Sequence, residues 1–118
     1  MPITLITEEK QFEVVVDGAT FYVTPLSNSA MTRLRKKHTK TVRGVETVDV
    51  DALYYERVDM TIKGWKEGDL LDAAGKPLPC TSETKRILAD RNARIAIEVL
   101  RLTDELDGEA KEAAEKNS

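Results

Sequence analysis

Asp17-Gly18 stands between Phe12-Glu13-Val14-Val15-Val16 and Thr20-Phe21-Tyr22-Val23. Two β-branched and aromatic runs joined by Asp-Gly form a tight hairpin, because both turn residues tolerate the positive φ that primed turns require. Alternation places Phe12, Val14 and Val16 on one face with Phe21 and Val23 opposite them, and leaves Glu13 and Tyr22 on the other side. Ile3 to Ile6 is expected to add a short third strand. Any fold for this chain must therefore seat a small antiparallel sheet at its N-terminal end.

The rest of the chain reads mainly as helix. Pro25 stops the hairpin, Ser27-Asn28-Ser29 supplies N-caps, and Ala30, Met31 and Leu34 mark an apolar stripe, giving a helix from about Asn28 to His38. Thr41 to Val48 forms a second, poorer hairpin around Gly44 or a loose connection. Asp49 or Asp51 caps the next helix, where Tyr54, Val58, Thr61, Ile62 and Trp65 recur at helical spacing, and Gly64 is expected to serve as its C-cap. Ala73-Ala74-Gly75-Lys76 makes a turn whose flanks, Leu70, Leu71 and Leu78, tuck inward. Thr81 or Ser82 starts a helix carrying Ile87 and Leu88. Asp90-Arg91-Asn92 favours a break before a final helix from Ala93 to Leu106, over one continuous helix. Asp107-Gly108 is expected to end or loosen that helix, and the polar residues beyond to fray. The fold class is α+β: an N-terminal hairpin or small antiparallel sheet followed by a mainly helical C-terminal half. With 118 residues the chain fits one domain, expected over 1–108, followed by a charged, mobile tail over 109–118.

Charge and chemistry narrow the function. The formal charge of −3 gives no global basic field for nucleic acid or an anionic membrane. No window approaches the roughly 18 apolar residues of a spanning helix and no export signal opens the chain, so the expected compartment is the cytoplasm. A single cysteine, Cys80, can form neither an internal disulfide nor a cysteine metal site, and it has no evident activating neighbour. Asp51, Glu56 and Asp59 follow no ligand spacing and read as a solvated helix face. His38 is the only histidine, set in a lysine-rich run. No catalytic, cofactor or metal residue is therefore assigned, and an enzyme is not expected. Arg33, Arg35, Lys36, Lys37, His38, Lys40 and Arg43 leave a small nucleic-acid-binding regulator acting through segment 33–43 as the alternative function. With no aromatic residues among them to stack bases, nucleic acid is an unlikely partner and a solvated face the simpler account.

Ile62-Lys63-Gly64-Trp65, then Leu71-Asp72-Ala73-Ala74-Gly75-Lys76-Pro77-Leu78-Pro79-Cys80-Thr81, resembles the tail assembly chaperones of long-tailed, siphophage-type bacteriophages and prophages. A tryptophan after a helix, an Asp-x-x-Gly-Lys-Pro-x-Pro turn, a Thr cap and a charged tail ending near Lys116-Asn117 carry the likeness, over about the second half of the chain. Trp65, Gly75, Pro77 and Pro79 are its structural residues. The resemblance implies a non-enzymatic protein of the infected or lysogenic bacterial cell that binds the tape measure and tail tube proteins during tail morphogenesis.

The last helix suggests where partners dock. Ile95, Ala96, Ile97, Val99, Leu100, Leu102 and Leu106 span a wider apolar arc than one face against a small core requires. Its outer edge, Ile97, Leu100, Arg101 and Asp104, is the expected partner-binding surface, toward a tail protein or a second copy in a homo-oligomer. The same arc is fully internal if the hairpin and the Ile87-Leu88 helix wrap both of its sides.

Overall fold

A computed structural model describes residues 3–116, with side chains described through residue 114. It is α+β, 48% helical and 21% strand. The first hairpin pairs β1 (Phe12–Val16) with β2 (Ala19–Val23), setting Val14 opposite Phe21 and Phe12 opposite Val23. Asp17 and Gly18 sit at φ 51° and 81°, the left-handed pair that a two-residue turn demands. Val14, Val16, Phe21 and Val23 are all buried, so the alternating face of the hairpin is one wall of the core.

The helix α1 (Asn28–Lys37) is capped by Ser27, whose Oγ accepts from the Ala30 amide at 3.2 Å. It buries only Leu34. A second hairpin follows, β3 (Thr39–Val42) with β4 (Val45–Val48), turning through Arg43 and Gly44 at φ 54° and 77°. Among the described residues these two strands form a two-stranded sheet of their own. Asp49 then caps α2 (Val50–Thr61), its Oδ1 accepting from the Ala52 amide at 3.1 Å.

The third strand of the main sheet is β5 (Ile62–Trp65), running antiparallel to β2 in the order β1-β2-β5. This corrects two expectations. Residues 3–6 form no strand, and Gly64 lies inside β5 without the positive φ of a helix C-cap. The helix stops at Thr61 because Ile62 onward finds strand partners: Ile62 faces Val23 and Trp65 faces Phe21. Two residues, Lys63 and Gly64, span the interval that Tyr22 alone spans on β2, and this bulge turns both Ile62 and Trp65 into the core. Without it, period-2 alternation would place them on opposite faces.

Residues 66–81 return across the end of the sheet. Leu71 bridges to Pro77, and the Leu78 amide donates to the Leu70 carbonyl at 2.8 Å. Asp72 closes the turn by accepting from the Ala74 and Lys76 amides at 2.9 Å each, with Gly75 at φ 82°. Leu70 and Leu78 are half-buried, but Leu71 is 54% exposed, against the expectation that all three point inward. Leu71 belongs to the strand-like bridge, where alternation sends it out when Leu70 goes in.

Thr81 caps α3 (Ser82–Arg91), accepting from the Thr84 amide at 3.2 Å. Asn92 ends α3 and opens α4 (Ala93–Lys116), so two helices occupy this region. The expected break at Asp107-Gly108 does not occur. A glycine costs a helix about 1 kcal/mol, but Ala110, Ala113, Ala114, Glu109 and Glu112 are strong helix formers, and Lys111 reaches back across it to Asp107 at 2.9 Å. Asn117 and Ser118, the end of the anticipated tail, lie outside the described residues.

The core joins the inner sheet face to Val58 of α2, Leu88 and Ala89 of α3, and Ala96, Val99 and Leu100 of α4. The helix α4 packs against β1 on one side and α3 on the other. The molecule is flat, 57 × 46 × 19 Å, and its radius of gyration of 16.6 Å exceeds the about 13.5 Å of a compact chain of this length.

Candidate functional site

Trp65 fastens the 66–81 segment to the sheet. It is 8% exposed, meets Phe21 edge-on with ring centroids 6.2 Å apart, and its Nε1 donates to the Leu78 carbonyl at 3.0 Å. Burying an indole is favourable only when its N–H finds an acceptor, and Leu78 supplies one from the stretch that ends in Pro77-Leu78-Pro79. Pro77 and Pro79 are exposed, and Gly75 occupies the left-handed position of the turn. The four structural residues thus belong to one strap and its anchor.

Beneath this strap runs an apolar groove of about 240 Å³. Val16, Ala19 and Phe21 line it from the first hairpin, Leu70 and Leu78 from the strap, and Leu88 and Ile95 from α3 and α4. Two large apolar side chains of its lining are open to solvent, Leu71 at 54% and Ile87 at 42% exposure. Asp69 steadies one wall by accepting from the Thr20 amide at 2.9 Å, and Arg94 of α4 pairs with Asp17 in the hairpin turn. Sequence reasoning placed Leu71 inside and named Ile87 only as an apolar residue of its helix. Only the bridge to Pro77 and the meeting of α3 with the strap reveal them as a pair.

Of the expected partner-binding residues, the structure brings Ile97, Arg101 and Asp104 onto one outward stripe of α4 and turns Leu100 away from it. Leu100 is 6% exposed and belongs to the core, because β1 and α3 cover both sides of the arc that contains it. Ile97 is 55% exposed. Arg101 is held by Glu98 at 2.6 Å and Glu105 at 3.0 Å, and Asp104 accepts from Arg57 of α2 at 2.7 Å. Arg101 lowers the pKa of Glu98, while Glu98 first and Glu105 second raise that of Arg101. The charges of the stripe are thus committed within the chain, leaving Ile97 as its open apolar contact.

The remaining chemical candidates resolve into structural roles. His38 lies at the C-terminal end of α1, its Nε2 2.8 Å from Glu56 Oε2, while Lys37 pairs with the other oxygen. Lys37 first and His38 second hold the Glu56 carboxyl below its usual range. Asp59 stands 3.3 Å from Lys85, whose Nζ also donates to the carbonyls of Asp59 and Ile62 at 2.8 and 3.0 Å. That lysine satisfies and charge-matches the C-terminal end of α2 from another helix, a role no local pattern signals. Asp51 is exposed in the first turn of α2. Tyr54 donates to the Ala89 carbonyl and Tyr55 to Asp90, each at 2.9 Å, and the Arg86 guanidinium lies 3.6 Å over the Tyr55 ring. Burial raises the Tyr54 pKa and the Asp90 hydrogen bond raises that of Tyr55, so both phenols keep their protons. Cys80 is an exposed residue whose thiol is pushed up by desolvation, with Lys85 opposing. That shift disfavours the thiolate a nucleophile needs. Among the described residues no group of three or more His, Cys, Asp or Glu is placed to hold a metal ion, and no helix is long and apolar enough to cross a membrane.

No family model, curated protein or solved structure matches this chain.

Proposed function

We propose that this chain is a protein-binding module without catalytic chemistry, of the tail assembly chaperone kind, acting in the bacterial cytoplasm on apolar segments of the tape measure and tail tube proteins. The observation that carries the reading is the groove walled by Leu70 and Leu78 and opened by Leu71 and Ile87. A protein that keeps another chain from aggregating needs a concave apolar surface within reach of solvent, and exposed apolar residues beside a groove meet that need. Leu71 and Leu78 of this groove lie in the stretch on which the family resemblance rests, whereas Leu70 and Ile87 lie outside it.

The test is co-expression with candidate tape measure and tail tube proteins, followed by affinity measurement. Leu71→Asp and Ile87→Asp should each weaken binding roughly 5- to 30-fold, the effect of losing about 1–2 kcal/mol at a contact, with far-UV circular dichroism unchanged. Binding to neither protein, or binding indifferent to both substitutions, refutes the proposal. The gene order offers a cheaper check: a tail tube gene upstream and a very long tape measure gene downstream.

A further inference from the structure

All 21 carboxylates of the chain lie outside the stretch from Asn28 to Val45, which carries six of its 18 lysines and arginines: Arg33, Arg35, Lys36, Lys37, Lys40 and Arg43. Glu56 pairs with Lys37. The other five are exposed and make no ion pair among the described residues, although the chain as a whole has acid to spare. Their counter-charge has to come from outside the chain.

Asn28, Thr32, Arg35 and Lys36 share a face of α1 by their i, i+4, i+7, i+8 spacing, with Arg33 one turn before Lys36 on its flank. That face is one wall of an open groove of about 620 Å³, closed on its far side by Thr39 and Glu46 of the second hairpin. Leu34 anchors α1 in the domain, and the Thr39 hydroxyl donates to the Arg35 carbonyl at 2.6 Å, so the helix end and the hairpin are joined. Lys40 on β3 and Arg43 in the turn carry positive charge along the hairpin to its tip.

We propose that the groove between α1 and the second hairpin holds the phosphodiester backbone of a nucleic-acid duplex, bound without regard to base sequence. Arg35 and Lys36 neutralise phosphates along the helix wall, while the Asn28 amide and the Thr32 hydroxyl are donors of the kind that fix a backbone in place. Lys40 and Arg43 reach further phosphates from the hairpin. Sequence reasoning set nucleic acid aside because no aromatic residue stands among these cations, but stacking rings serve single strands; a duplex stacks its own bases and is held through its phosphates. The net charge of −3 does not oppose this contact, since the repulsion comes from surfaces away from α1 and turns the polyanion toward the groove. Glu46 is the one carboxylate in the lining, so the backbone lies against α1 and away from the hairpin wall.

The test titrates the full chain into labelled short duplexes and follows fluorescence anisotropy between 0.05 and 0.2 M salt, with DNA and RNA of the same sequence compared so that the tighter names the source. Three to five neutralised phosphates give a slope of log K against log salt of about −2.7 to −4.5, so the fourfold rise in salt should weaken binding roughly 40- to 500-fold. R35Q/K36Q should make that slope shallower by about 1.8 and weaken binding roughly 10- to 100-fold at the lower salt, with circular dichroism unchanged. E46Q should tighten binding several-fold. R101Q, on a side chain already held by Glu98 and Glu105, should leave it unaltered. Scrambling the duplex sequence should change nothing. No binding at 0.05 M salt, a slope near zero, tighter binding of a single strand than of its duplex, or binding indifferent to R35Q/K36Q would each overturn the proposal. Polyglutamate or anionic vesicles bound through Arg35 and Lys36, with duplexes ignored, would assign the groove to another anion and overturn it as well.

Discussion

Replacing Trp65 by alanine tests whether the strap is held to the sheet as described. The substitution removes a nearly buried indole, its edge-on contact with Phe21 and its hydrogen bond to the Leu78 carbonyl. Core truncation of this size costs about 3–5 kcal/mol, a large share of the about 5–15 kcal/mol available to a small domain. Unfolding entropy of about 2.1 cal/mol/K per residue gives roughly 0.25 kcal/mol/K for 118 residues, so Tm should fall by about 12–20 °C. Because the variant lacks the only tryptophan, the transition is followed by far-UV circular dichroism. Trp65→Phe separates the two contributions. It keeps an aromatic ring against Phe21 but loses the N–H, so it should cost about 0.5–1.5 kcal/mol, or about 2–6 °C, and speed proteolysis within residues 66–81 more than elsewhere. A Tm drop of under about 3 °C for Trp65→Ala, or freely quenched, red-shifted emission from the native protein, refutes this account of the anchor.

Other substitutions probe the remaining joints. Ile97→Lys should leave stability within about 0.5 kcal/mol of the parent, whereas Leu100→Lys places an unpaired charge in the core and should abolish cooperative unfolding; calorimetry distinguishes them. Asp49→Ala removes the cap of α2 and should cost about 1 kcal/mol, roughly 4 °C in Tm. Glu56 has its folded pKa depressed, so its contribution is present above the unfolded value of about 4.3 and is lost as pH falls through the lower folded value. Urea midpoints should therefore decline over that acid window in the parent, and Glu56→Gln should flatten the part of the decline due to this group.

How legible the fold was depended on the range of the interactions that decide it. The first hairpin, the cap at Thr81 and the break at Asn92 are set by residues within a few positions of one another, and sequence reasoning reached them. β5 was not legible. Its burial pattern of Ile62 and Trp65 imitates helical i, i+3 spacing only because a bulge against Tyr22 adds a residue, and the partner strand lies some forty residues earlier. The continuation of α4 past Gly108 was misjudged because one glycine was weighed above the run of strong helix formers and the Asp107–Lys111 pair around it. The candidate surface was half legible. A wide apolar arc on α4 is visible in the sequence, but the division between Leu100 inside and Ile97 outside is made by β1 and α3 packing on its two sides. Leu71 and Ile87 could not be paired from sequence, since only tertiary folding brings the strap against α3.

The flatness of the molecule bears on why these surfaces exist. Of the nine elements among the described residues, the three strands of the main sheet, α2, α3 and the first half of α4 supply the core cluster, while α1 buries Leu34 outside that cluster and the second hairpin buries none of its residues. A two-stranded hairpin with no third strand is at best marginal by itself, and here it is tied down at its base by the Asp49 amide donating to the His38 carbonyl and by Thr39 bonding to the Arg35 carbonyl. Elements that bury so little occupy the low end of a protein's local stability, the range from which binding segments are drawn. The distal part of α4 is in the same position, a helix end carrying charge beyond the core. Intramolecular packing therefore accounts for the strap and the sheet more fully than for these two extensions. Ligation of either surface would add stability equal to RT ln(1 + [L]/Kd), so a partner that docks on one of them should raise the thermal midpoint as its own concentration rises.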